Sequence, residues 1–373
     1  MQYFPGWLRS AGRLDEAQVS IVLAAQTVAR TLAGPAWAQR VDRAGDARGV
    51  LFGLSIASVL AFALFQFGAS VPWLMVSAFS FGAMYSPMYP ILDAAALQQG
   101  HRFGFGFGRL RMVGSISFLV VILAVGGCLD AFGGDLVFPI VLVGLVAMVA
   151  CAFVLPRGFA GTTAQERAPE PWWRPLRSRP FVLLLVASAA IQGSHATFYN
   201  LSTMHWSDHG ISKTVAGVLW AEGILAEIVL FFAARRTVER LRPTTLLMLG
   251  GAAAVVRWIV VGASTSPWVL ASVGWLHAAS FGCTYLGSLR ALERRVPIAQ
   301  RATAQGLLGS ATSGVGMVVC GLVGGVVYRR FEGVAFLVMA AFAAVGVGLA
   351  FCLRRQADHE SKQANTTASS SPV

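Results

Sequence analysis

Long apolar stretches alternate with short polar connections that carry most of the arginines. A bilayer core of about 30 Å needs about 20 helical residues to cross it. Apolar stretches of suitable length run over residues 19–38, 50–67, 71–92, 109–127, 136–155, 181–204, 214–233, 245–263, 267–289, 303–327 and 334–353. The pattern therefore predicts eleven spans. They are read as helices, because lipid leaves every backbone group to be satisfied within its own segment and no stretch shows the ~10-residue alternation of a barrel strand. The polar, proline-bearing connection 156–180, ending RAPEPWWRPLRSRP, divides five spans from six. That gives an amino-terminal bundle over 1–155 and a carboxy-terminal bundle over 181–355. Residues 356–373, rich in Ser, Thr and Asn without an apolar face, read as a disordered tail. Five plus six also suggests six plus six with the first helix truncated. Tyr3, Phe4, Pro5 and Trp7 read as the outer end of a helix whose body is missing, through a misplaced start site or loss of that span.

Composition narrows the class. Apolar residues make up 56% of the 373 and charged residues 12%, against about 25% charged in an average soluble domain. Mean hydropathy is +0.65. A chain so poor in charge cannot cover a soluble surface, which excludes most soluble enzymes and DNA-binding folds. The net charge of +12 is a matter of topology and not of nucleic-acid binding. Only Lys213 and Lys362 are lysines, and 22 of the 29 basic residues fall in alternate loops on one side, with 5 on the other and Arg30 and Arg257 inside spans. The positive-inside rule makes the richer side, with the carboxyl terminus, cytoplasmic. The Arg-, Ala- and Gly-rich composition fits a bacterial inner membrane. Five cysteines, odd in number and without CxxC spacing, predict neither disulfides nor a zinc site. No cofactor or metal is implied, no signal peptide opens the chain, and a monomer is expected.

An ionisable group inside a span is costly, so each is a candidate for function. Arg257 falls near the middle of its helix, and a guanidinium there needs an anionic partner. Glu222 and Glu227, on the preceding span, are the carboxylates at hand, and His277 lies at similar depth on the next. Three consecutive helices thus bring carboxylate, guanidinium and imidazole together. Such a group either carries a proton or locks the helices as an ion-pair network. Arg30, with Gln26 one turn before it, is the lone midplane arginine of the amino-terminal bundle and suits an anionic substrate, a cross-bundle pairing with Glu222 or Glu227 being the alternative. Gln192, His195 and Tyr199, at i, i+3 and i+7, form one polar stripe on an apolar helix, for substrate or for helix packing. Pro87 and Pro90 should kink the third span, where Tyr85 and Tyr89 share a face. The glycines at 104, 106 and 108 follow no strand, so they are no nucleotide-binding loop.

The connection Trp37-Ala38-Gln39-Arg40-Val41-Asp42-Arg43-Ala44-Gly45-Asp46-Ala47-Arg48 resembles the loop signature of the major facilitator superfamily. It departs from that signature in having Ala38 for the leading glycine and Asp46 at the first basic position. The resemblance implies a gating loop in which Arg43 or Arg48, beside Asp42, engages Asp93. Gly108-Arg109-Leu110-Arg111-Met112-Val113-Gly114-Ser115-Ile116, Gln192-Gly193-Ser194-His195, Leu276-His277-Ala278 and Phe281-Gly282 resemble the phenylpropionate permease branch, related to lactose- and nucleoside-proton symporters. The resemblance covers nearly the whole chain. It implies an all-α polytopic membrane protein of two pseudo-symmetric bundles that alternate access around a midplane site. The expected activity is proton-coupled uptake of a small, aromatic-acid-like anion. Arg30, Gln26, Gln192, His195, Tyr199 and Arg257 would bind substrate, and Glu222, Glu227 and His277 would couple the proton. The partners are then the substrate, protons and the bilayer. Proton-driven efflux, or a non-transporting receptor or scaffold on the same fold, are the competing readings.

Overall fold

The computed structural model describes residues 2–12, 14–44, 47–89, 91–92, 107–155, 173–233, 240–297 and 300–369. Among these residues the regular structure is helical throughout. In the amino-terminal half the helices are α1 (Phe4–Gly12), α2 (Glu16–Ala44), α3 (Ala47–Ala63), α4 (Val71–Tyr85), α5 (Phe107–Phe132) and α6 (Val137–Val154). The carboxy-terminal half holds α7 (Arg179–Gly193), α8 (His195–Asp208), α9 (Lys213–Ala233), α10 (Pro243–Ala263) and α11 (Pro267–Gly274). It continues with α12 (Thr284–Arg295), α13 (Arg301–Gly309), α14 (Met317–Phe331) and α15 (Val334–Ser369). Two π-helical stretches, Ala278–Cys283 and Ser310–Gly316, join α11 to α12 and α13 to α14. Proline opens α4, α7, α10 and α11 in the first turn, where its missing N–H costs no hydrogen bond.

The apolar stretches of the sequence fall on these helices. Seven are long and apolar enough to cross a membrane by length and composition: 47–66, 134–154, 179–208, 243–263, 267–295, 304–331 and 334–356. Their outward faces are apolar too, with Leu60, Val143, Val326 and Val345 all more than half exposed. Apolar exposure on that scale suits lipid and not water. The long helices α2 and α9 are not among the seven. They carry Gln26, Arg30 and Arg40, and Lys213, Glu222 and Glu227, and they pack on other helices of the molecule: α2 on α4 and α14, α9 on α5.

The two pairs α2–α14 and α5–α9 join the halves. At the arginine-poor end, Tyr3 ahead of α1 sets its hydroxyl 2.9 Å from the Lys213 carbonyl and 3.2 Å from that of Ile122. Gly126 and Gly217 make room for it, since a Cβ on either would stand 2.8 Å from that oxygen. Asp130 of α5 accepts from the backbone N–H groups of Lys213 and Thr214 at 2.8 and 2.7 Å, capping α9 from the opposite half. Arg9 meets Asp208 in a two-pronged ion pair at 2.5 Å, and Arg329 reaches Asp15 at 3.3 Å. Buried aromatic rings underlie this seam, Phe4, Trp7, Phe62, Phe65, Phe81 and Phe138 on one side and Phe198, Trp206, Trp220 and Trp258 on the other.

One expectation changes. The tail is helical up to Ser369 and not disordered from residue 356, because α15 runs on through Gln356-Ala357-Asp358-His359-Glu360. Ala, Gln and Glu have good helix propensity, and they extend a helix already nucleated by the apolar span. The third span is interrupted where Pro87 was expected to bend it: α4 ends at Tyr85, residues 86–87 form a turn, and the chain is helical again at 88–89 and 91–92, Pro90 lying outside the described residues.

Candidate functional site

The polar cluster of the carboxy-terminal half is built by α7, α8, α9, α10 and the π-helical stretch 278–283. Arg257 lies midway along α10 and is 3% exposed. Its Nη1 donates to His277 Nδ1 at 3.2 Å and to Ser280 Oγ at 3.1 Å. The guanidinium carbon lies over Phe198 at 5.0 Å and Trp258 at 4.8 Å. No carboxylate among the described residues comes within 4.0 Å of it, so the pairing expected with Glu222 or Glu227 is not made. Glu227 reaches His277 instead, with Oε2 3.9 Å from Nε2. The physical reason is the spacing on α9: His277 of the neighbouring segment stands between the carboxylate and the guanidinium.

Donor and acceptor rules orient the cluster. Arginine only donates, so His277 Nδ1 must accept, and the ring proton lies on Nε2, turned toward Glu227. Ser280 also accepts from Arg257, which leaves its own hydrogen to give. His195 lies with Nδ1 3.2 Å from the Ile191 carbonyl and Nε2 3.2 Å from Ser280 Oγ. A carbonyl only accepts, so Nδ1 carries the His195 proton and Nε2 accepts from Ser280. Both imidazoles are thereby neutral, each held as one tautomer by a chain that starts at Arg257. A proton added to His277 Nδ1 would face the guanidinium head on.

The other expected residues are placed as follows. Gln192 donates to the Phe281 carbonyl at 3.3 Å, inside the π-helical stretch, and its Oε1 is buried without a partner. His195 is fully buried, against Trp258 and Phe281. Tyr199 is half-buried and lies against Trp220, with ring centroids 5.7 Å apart. The stripe predicted on this helix thus faces the cluster. The break at Ser194 between α7 and α8 is steadied by Trp258 Nε1, which donates to Ser194 Oγ at 2.9 Å. Glu222 packs where α11 ends, with Oε2 only 2.6 Å from where a Cβ on Gly274 would stand. A side chain at position 274 would displace the Glu222 carboxylate.

In the amino-terminal half, Arg30 is exposed and donates to the Ser313 carbonyl at 2.5 Å, across to the other π-helical stretch. It does not join Glu222 or Glu227. Gln26 packs against Gly82 of α4. The Tyr85 and Tyr89 hydroxyls share a hydrogen bond of 2.6 Å, as their common face implied. Of the gating loop, Arg48 donates to the Phe153 carbonyl at 2.7 Å. Asp93 lies outside the described residues, as do the side chains of Asp42 and Arg43 within α2. Sequence reasoning missed Ser280, which links Arg257 to His195. Its signal was its place one turn after His277 on an apolar helix.

Known proteins resemble this chain over most of its length. The MFS_1 like family matches residues 1–339. A protein of Escherichia coli (strain K12) named "probable 3-phenylpropionic acid transporter" is 25% identical over 346 residues, covering 92% of this chain and 90% of its own. The maltose permease of Geobacillus stearothermophilus is 27% identical over 349 residues, covering 91% of this chain and 86% of its own. The crystal structure of the nucleoside transporter NupG superposes with a TM-score of 0.79 at 16% identity, over 95% of this chain and 94% of that one.

Proposed function

The chain belongs to the MFS_1 like family, and from that premise we propose proton-coupled uptake of a small organic anion by alternating access. It is a multi-pass secondary transporter and not an enzyme. In this reading eleven spans form two pseudo-symmetric bundles in a bacterial inner membrane, with the arginine-rich end and the carboxyl terminus in the cytoplasm. The observation that carries it is the oriented chain from Arg257 through His277 to Glu227. Both histidines are fixed as neutral tautomers, so the proton rides on Glu227, the partly exposed member, while His277 positions it. Arg257 fixes the histidines from its enclosed place. Arg30 offers the exposed guanidinium that an anion needs.

The relatives supply two chemistries for the substrate, an aromatic acid and a sugar. The exposed Arg30 favours the acid, because a neutral sugar has no charge to set against a cation that meets only a carbonyl among the described residues. Proteoliposomes with an imposed pH gradient, offered 3-phenylpropionate or maltose, separate the two. The expected result is gradient-driven accumulation of 3-phenylpropionate alone. Glu227→Gln should abolish that accumulation while keeping exchange of substrate across the membrane. Accumulation by Glu227→Gln at the wild-type level would remove the proton role, and accumulation of maltose in place of the acid would remove the anion.

A further inference from the structure

Arg30 belongs to the amino-terminal half, yet its hydrogen-bond acceptor belongs to the other half. The Ser313 carbonyl lies in a π-helical stretch, Ser310–Gly316. A π-helical turn holds one residue more than the α-ladder can pair, which leaves a carbonyl seeking a donor from outside, and such turns cluster at functional sites. The two segments touch closely here: a Cβ on Gly314 would stand 2.9 Å from Thr31 Oγ1. Thr31 itself is committed to the Thr27 carbonyl at 2.9 Å and does not compete for Ser313. The Arg30–Ser313 bond is exposed at the face where the two halves meet.

We propose that Arg30 is a latch the substrate itself releases. In the absence of substrate its guanidinium ties α2 to the π-helical stretch before α14. A substrate carboxylate, a far stronger acceptor than a carbonyl, takes over the guanidinium and frees the seam to part at the arginine-poor end. Occupancy is thereby converted into movement by the residue that reads the charge. The inference rests on the anion reading of the site.

The test uses the full chain with its five native cysteines replaced, and spin labels at Gln66→Cys and Thr265→Cys, one on each half at the arginine-poor end. Wild type without substrate should show the short distance, and saturating 3-phenylpropionate should populate a longer one. Arg30→Gln should show the longer distance without substrate, gain nothing from added acid, and bind it roughly 10- to 100-fold more weakly, the loss of a charged hydrogen bond. Arg30→Lys, which keeps the charge and loses the fork, should lie between the two. If Arg30→Gln loses affinity while its distances stay at the wild-type values, Arg30 merely touches substrate; the latch is overturned and the anion reading stands. If Arg30→Gln binds the acid as wild type does, the anion reading fails and the latch with it.

Discussion

Arg257→Lys tests the orientation argument directly, since it keeps the charge and removes the geometry. The guanidinium gives one bond to His277 at 3.2 Å and one to Ser280 at 3.1 Å. A lysine ammonium at the end of a flexible stem serves one of these partners well and abandons the other. Losing one hydrogen bond to a charged group costs about 1.5–3 kcal/mol. The contacts over Phe198 and Trp258 contribute about 0.5–2 kcal/mol more, and an ammonium keeps only part of that. If half the sum is needed to hold His277 with Nε2–H toward Glu227, gradient-driven accumulation should fall by roughly 5- to 60-fold, at 1.4 kcal/mol per tenfold. Exchange without net proton movement should stay within about threefold of wild type, because the substrate contacts proposed at Arg30 are untouched. Nitrogen NMR of labelled histidine supplies the second readout. Wild-type His277 should carry its proton on Nε2, and Arg257→Lys should show both tautomers. The reasoning fails if wild-type His277 proves to be protonated on Nδ1, or if accumulation and exchange decline together.

Two further expectations concern packing. Gly193→Ala would set a Cβ 2.6 Å from the Gly316 carbonyl oxygen, forcing α7 off the π-helical stretch by up to ~0.8 Å and costing about 1–3 kcal/mol as overpacking does. Its thermal midpoint in detergent should drop clearly below that of Gly127→Ala, which meets open space, and equal midpoints would contradict the close approach. Tyr3→Phe removes a hydroxyl bond worth about 0.5–1.5 kcal/mol, so maleimide labelling of Ser20→Cys in the α2–α14 seam should quicken by roughly 2- to 10-fold. An unchanged labelling rate would show that the Tyr3 hydroxyl, bound at α5 and α9, does not help hold the two halves together at that end.

Helix content and the main candidates were legible because lipid simplifies the code. A span must be apolar and helical, so every charge within one stands out, and Arg257, Glu222, Glu227 and His277 were found by depth alone. Depth, however, says nothing about which neighbour lies between two others. Arg257 was expected against a carboxylate, and His277 took that place. Neither the π-helical stretches nor the use of their carbonyls by Gln192 and Arg30 could be read from sequence, since an inserted residue in a helix leaves no compositional mark. The seam residues Asp130, Asp208 and Arg9 were invisible for a different reason. They fall outside the apolar spans predicted from sequence, where a charge is ordinary, and only the folded chain shows that each meets the opposite half. The tail was misjudged from its overall polarity, although its first residues are good helix formers joined to a stable helix.

Asp130 has one more consequence. It belongs to the amino-terminal half, and the amides it satisfies begin a helix of the other half. The start of α9 therefore stays sheltered only while the two halves touch at that end, and each opening hands the amides of Lys213 and Thr214 to water. Those two hydrogens are a built-in clock: their exchange with deuterium keeps time with the opening of the molecule and needs no label.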